Sequence, residues 1–152
     1  MNAQSVVAEE RTKTHLIIAN LREIDRLQLF RDLHYPSLFE YVVHELGYSE
    51  GAAHRRIVAT RMTVELPALD KKIEKGEITL SNINLVKQFI NKEEIRQPEE
   101  KMALLNLVQG KSGNEAKEEL KKAKVLRQSS GKDVLLEKEE KEVKLHCLID
   151  KK

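Results

Sequence analysis

Apolar residues recur at helical spacing through most of this chain and change to simple alternation only near its end. Residues 1–13 are polar and carry no apolar stripe, so a flexible leader is expected there. Thr14 can cap a long helix, HLIIANLREIDRLQLFRDL. Leu16, Ile17, Asn20, Leu21, Ile24, Leu27 and Phe30 form its expected core stripe, with one polar insertion. His34-Tyr35-Pro36 then breaks the helix, because the residue before proline avoids the α region.

The next stretch, SLFEYVVHELGYSEGAAHRRIVATRMTV at 37–64, reads as two helices joined by a tight turn. Ser37 and Glu40 have capping-box spacing. Leu38, Phe39, Val42, Val43 and Leu46 give the first helix an apolar face, and Gly47 suits a left-handed C-terminal position. Ser49 can cap the second helix, with Glu50 at its positive end. On that helix Ala53, Ile57, Thr60 and Val64 share one face, with Ala52, Arg55 and Ala59 roughly opposite and Arg56 at the edge. A basic second helix with small residues between its arginines is a helix-turn-helix pattern. Small side chains let a helix approach a groove, and arginines reach phosphates or guanine edges. Ordinary helical hairpins share the pattern without touching DNA.

Further helices are expected over ALDKKIEK after Pro67, over SNINLVKQFI capped by Thr79 or Ser81, and over EEKMALLNLVQ after Pro98. Their inward positions are Leu66, Leu69 and Ile73; then Ile83, Val86 and Phe89 or Ile90; then Met102, Leu105 and Val108 beside Leu104. Gly76 and Gly110 end the first and third. Ser112 and Glu115 open a last, charged helix with a thin stripe of Ala116, Leu120, Ala123 and Leu126 or Arg127. Residues 128–141, QSSGKDVLLEKEEK, have linker composition. Val143, Leu145, Cys147 and Ile149 then alternate with Lys144, His146, Leu148 and Asp150, a strand signal. A lone strand cannot stand alone. It pairs with another molecule or begins a second domain missing here. The expected architecture is all-α: a multi-helix orthogonal bundle over 14–127 with a helix-turn-helix-like hairpin, a polar linker, and a short C-terminal strand within 142–152.

Composition agrees with helices. Aromatic residues are 4% of the chain, there is no Trp, and charged residues reach 34%. Net charge is only +2 with a pI near 8.6, so any nucleic-acid case rests on local charge. One cysteine, Cys147, forms no internal disulfide and no paired-cysteine zinc site. No signal peptide and no run long enough for a membrane span is evident, so a cytoplasmic protein is expected.

Catalytic chemistry finds little footing. His15, His34, His44, His54 and His146 are scattered, with no HExxH and no evident metal set, so no metal or cofactor is expected. Cys147 has no base nearby in sequence, and Gly47-Tyr48-Ser49-Glu50-Gly51 lacks the lysine of a phosphate loop. No small-molecule substrate is implied. Two basic features remain. Arg55, Arg56 and Arg61 lie in the hairpin, where His54 and Ser49 can add weaker DNA contacts. Lys111, Lys117, Lys121, Lys122, Lys124 and Arg127 surround the last helix, where Glu115, Glu118 and Glu119 can pair with them on a solvated face.

From Thr14 to Lys124 the chain resembles the helical N-terminal region that precedes HNH endonuclease modules in many bacterial proteins. HLIIANLREIDRLQLF at 15–30, SLFEYVVHELGYSEGAAHRRIVATR at 37–61, LPALDKKIEKGEITLSNINLV at 66–86 and GKSGNEAKEEL at 110–120 carry the likeness. In longer members a linker, a strand-rich segment and the HNH core follow. Here the linker and VKLHCLID are present, like such a protein stopped after the first strand of its second part. The core's general-base His and metal ligands lie in the missing part, so nuclease activity maps to no residue of this chain. The resemblance implies a non-catalytic DNA-binding or targeting domain. The alternatives are a protein-interaction or dimerisation module working through the 143–149 strand, and a portion of an endonuclease whose catalytic part lies elsewhere.

Overall fold

The computed structural model describes residues 2–130, which are all-α, with no strand among the described residues. Helix α1 runs Ala3–Leu27 and overturns the expected leader. Asn2, not Thr14, caps it, accepting from the Ser5 N–H at 2.8 Å. Ala3, Ala8, Glu9, Glu10, Arg11 and Lys13 are good helix formers, so this part is helical by propensity without an apolar stripe. The packed face of α1 is also rotated from the expected one. Ile18 and Leu21 are buried and Ile17 and Ile24 half-buried, while Leu16 and Leu27 are 53% and 52% exposed and Asn20 is exposed. After a left-handed Gln28, a short 3₁₀ turn at Leu29–Arg31 buries Phe30.

The hairpin at 37–64 forms through its expected local signals. Ser37 Oγ accepts from the Glu40 N–H at 3.1 Å and starts α2, Leu38–Glu40. The helix widens into a π-helical turn at Tyr41–Glu45, whose last bond runs from the Leu46 N–H to the Tyr41 carbonyl. Gly47 takes φ +77°, and the Tyr48 N–H reaches back to the Val42 carbonyl. Ser49 Oγ then accepts from the Ala52 N–H at 3.3 Å, and α3 runs Glu50–Glu65.

Helix α3 is where the packing converges. Its first half joins Ala53 and Ile57 to a cluster with Leu21, Phe30, Leu38 and Val42. Its second half supplies Ala59 and Met62 to a larger cluster with α4 (Ala68–Glu74), α5 (Leu80–Lys92), α6 (Pro98–Val108) and α7 (Gly113–Ser130). Neighbours on several sides correct the one-face expectation: Ala59 is fully buried, and Val64 is 62% exposed. Thr60 and Thr63 are buried because each hydroxyl donates within the helix, to the Arg56 and Thr60 carbonyls at 2.7 Å.

The remaining helices keep most of their expected inward residues: Leu66, Leu69, Ile73, Ile83, Val86, Ile90, Leu104, Leu105, Val108, Ala116, Leu120 and Ala123. Met102 is only half-buried, and Glu100 and Lys101 are buried instead. Lys101 pairs with Glu65, and Glu100 with Arg127, which takes the last inward position of α7 in place of Leu126. Asn82 is buried and donates to the Val108 and Lys111 carbonyls at 3.3 and 2.7 Å, tying α5 to the end of α6. Asn82→Ala leaves those carbonyls short of a donor, an expected loss of about 1–3 kcal/mol measurable by urea denaturation. The reciprocal Ser112–Glu115 box opens α7 as expected. That helix runs through Ser130, so the first linker residues are helical. The rest of the expected linker and the 143–149 strand lie outside the described residues. No helix of the described residues is long and apolar enough to cross a membrane.

Candidate nucleic-acid interface

The five hairpin residues singled out for DNA contact divide between two sides of α3. Ser49 is exposed, but its side-chain oxygen is committed to the helix cap. His54 and Arg61 are two helical turns apart, so they share a face, which is exposed. They line a hollow of about 210 Å³ together with Glu65 and Lys87. Arg61 is not free there, since its Nε lies 3.3 Å from Asp25 Oδ2 on α1. This face is electrically mixed.

Arg55 and Arg56 line a different surface, an open groove of about 350 Å³. Its other walls come from α1, through Glu10, Arg11 and Thr14, and from the α4–α5 junction, through Gly76, Thr79 and Leu80. Arg55 is half-buried and has no ion-pair partner among the described residues. Arg56 is partly structural. Its guanidinium carbon stands 4.3 Å from the centroid of the Tyr48 ring, and Nη1 donates to the Ala52 carbonyl at 3.1 Å. Its buried Nε has no hydrogen-bond partner. Arg11 is exposed and also lacks an ion-pair partner among the described residues.

Arg11 lies over Gly76 at this groove. Gly76 ends α4 at φ +69°, and a Cβ there would stand 2.6 Å from Arg11 Cδ and Nε. Arg11 is the residue that periodicity missed. The available signal was the run of helix-favouring residues after Asn2, which extends α1 far enough to carry it.

Three lysines of the second basic feature are paired with carboxylates, two on α7 itself and one at the end of α5. Lys121 pairs with Glu118 at 2.8 Å, Lys122 with Glu119 at 3.2 Å, and Lys124 with Glu93 at 3.1 Å. The hydrogen bond from Lys121, then its charge, holds the Glu118 carboxyl below its ordinary value. This is the solvated face expected of α7.

Two histidines have structural partners. His15 Nε2 lies 3.3 Å from Asp70 Oδ2, whose other oxygen accepts from Arg22 at 3.1 Å, linking α1 to α4. His44 sits 2.9 Å from Glu40. Tyr35 donates to Glu45 at 2.7 Å, and that bond raises the phenol above its ordinary value. Among the described residues no three His, Cys, Asp or Glu side chains converge as a metal set would. No family model, curated protein or solved structure matches the chain.

Proposed function

We propose that this chain is a non-catalytic DNA-binding domain, related to the helical regions that precede HNH endonuclease modules. In this reading the helices form an orthogonal bundle and 37–64 acts as its helix-turn-helix. The observation that carries the reading is Arg55: a half-buried arginine without an ion-pair partner among the described residues, in an open groove beside Arg56 and Arg11. Cations left unpaired on a concave surface gain most from phosphate, because binding releases the counterions condensed on DNA. Arg61 and His54 contribute less, since Arg61 already faces Asp25. A tethered module of this kind holds DNA near a partner's active site and raises its effective concentration there.

Fluorescence anisotropy with labelled duplex DNA across a salt series tests the reading. Binding should weaken steeply with salt, and Arg55→Ala should lower both the affinity and the salt dependence while the fold stays intact. Arg55 is the cleaner substitution, because removing Arg56 also removes its stacking on Tyr48. Equal binding by Arg55→Ala and the parent chain would overturn the assignment of this face.

The second reading is a protein-interaction or dimerisation module. Leu27, Leu29 and Leu33 favour it, being 52%, 42% and 53% exposed within one short stretch. Absence of DNA binding at low salt, with a solution mass above that of one chain, would select it.

A further inference from the structure

We propose that the groove between α1, α3 and the start of α5 is a seat for a single phosphate group, gripped by Arg11 and Arg55 beside the positive charge of Arg56. Its ligand class is a phosphodiester or phosphate monoester. The proposal deepens the DNA-binding reading and rests on it only for the source of the phosphate.

Three arginines are among the residues that line one groove, and the only carboxylate among those residues is Glu10. Neither Arg11 nor Arg55 has an ion pair among the described residues, so the cluster's positive charge is balanced poorly from within. A planar guanidinium presents a fork of donors that matches phosphate oxygens, and two of them can hold a tetrahedral anion from different sides. Arg56 is held by Tyr48 and the Ala52 carbonyl, which do not line the groove, so it adds positive charge beside the Arg11 and Arg55 forks.

The third wall adds donors of the right sign. Helix α5 begins at this groove, with Thr79 and Leu80 among its lining residues. Thr79 Oγ1 accepts from the Asn82 N–H at 3.1 Å, which leaves its hydroxyl hydrogen available. The N–H groups of Leu80 and Ser81 belong to the first turn, where the helix itself supplies no acceptor. That end of the helix carries partial positive charge.

Arg11 brings a second unpaired cation to the groove from a distant part of the chain. It comes from the exposed half of α1, and its side chain lies over Gly76, where a Cβ would displace it.

The test uses the full chain, labelled duplex DNA and inorganic phosphate, with ionic strength matched by chloride. Arg11→Ala is compared with Lys13→Ala, an exposed position of α1 outside the groove that loses the same charge. Folding of both is checked by circular dichroism. The expected result is a fall of about 0.9 in the log–log salt slope for Arg11→Ala and little change for Lys13→Ala. Arg11→Lys should recover charge but not the fork, and bind between the two. Phosphate should displace DNA from the parent chain more effectively than matched chloride.

DNA binding that Arg11→Ala and Lys13→Ala alter equally would overturn the seat and leave the DNA reading standing. Phosphate binding lost in Arg11→Ala, in a chain that binds no DNA, would establish the seat, assign it to a phosphorylated small molecule and end the DNA reading. Binding of neither probe would overturn both.

Discussion

Glu100→Ala is expected to destabilise the domain by about 3–5 kcal/mol, because it leaves a buried guanidinium without its counter-charge. Glu100 sits in the first turn of α6 and Arg127 in the last turn of α7, and each side chain is only 7% exposed. The pair fastens the start of one helix to the end of the next. Its attraction is offset by the cost of taking two charges out of water, so the intact pair contributes little net stability. Removal of one partner is different, because the desolvation cost of the other remains with nothing to oppose it. Urea denaturation measures the loss. Replacing both residues, Glu100→Leu with Arg127→Met, should recover most of it, since neither charge is then buried. A loss below 1 kcal/mol for Glu100→Ala would mean that Arg127 escapes to solvent once released.

Ile18→Ala should cost about 2–5 kcal/mol and Leu16→Ala no more than about 0.5 kcal/mol, although they are close neighbours on one helix. Ile18 is fully buried, so truncation leaves a cavity whose walls lose their contacts. Leu16 is 53% exposed and has much less packing to lose. The same denaturation experiment separates them, and equal costs would restore the stripe that periodicity assigns to α1. Leu21 lies on both the expected and the observed face, so only the Ile18–Leu16 comparison discriminates between them.

The rotation of α1 shows how sequence pattern can mislead. Leu16, Ile17 and Ile18 are consecutive apolar residues, and spacing alone does not say which of them points inward. Contacts with α3 and α4 decide it, partly through the Arg22–Asp70–His15 link, which needs polar positions on the packed side. The missed N-terminal half of α1 has another cause. Its helix rests on propensity and on Asn2, and a search for apolar periodicity does not register either. Arg11, the added wall of the groove, lies in that half.

What the chain determines by itself is local. Ser37, Ser49, Thr79 and the Ser112–Glu115 box act across three residues, and each cap is present. Gly47, Gly76 and Gly110 take positive φ where helices were expected to end, because glycine has no Cβ to resist that conformation. These signals place the hairpin and most helix boundaries. Only tertiary structure decides which faces meet. It buries Ala59, exposes Val64, turns Arg127 toward Glu100 and holds Arg56 against Tyr48. It also separates Arg61 from Arg55 and brings Arg11 to Arg55 and Arg56 from a distant part of the chain. Caps and turns are short hydrogen bonds between near neighbours, so their causes lie within a few residues. Burial and charge pairing depend on surfaces supplied from elsewhere in the chain, and no local pattern contains that information.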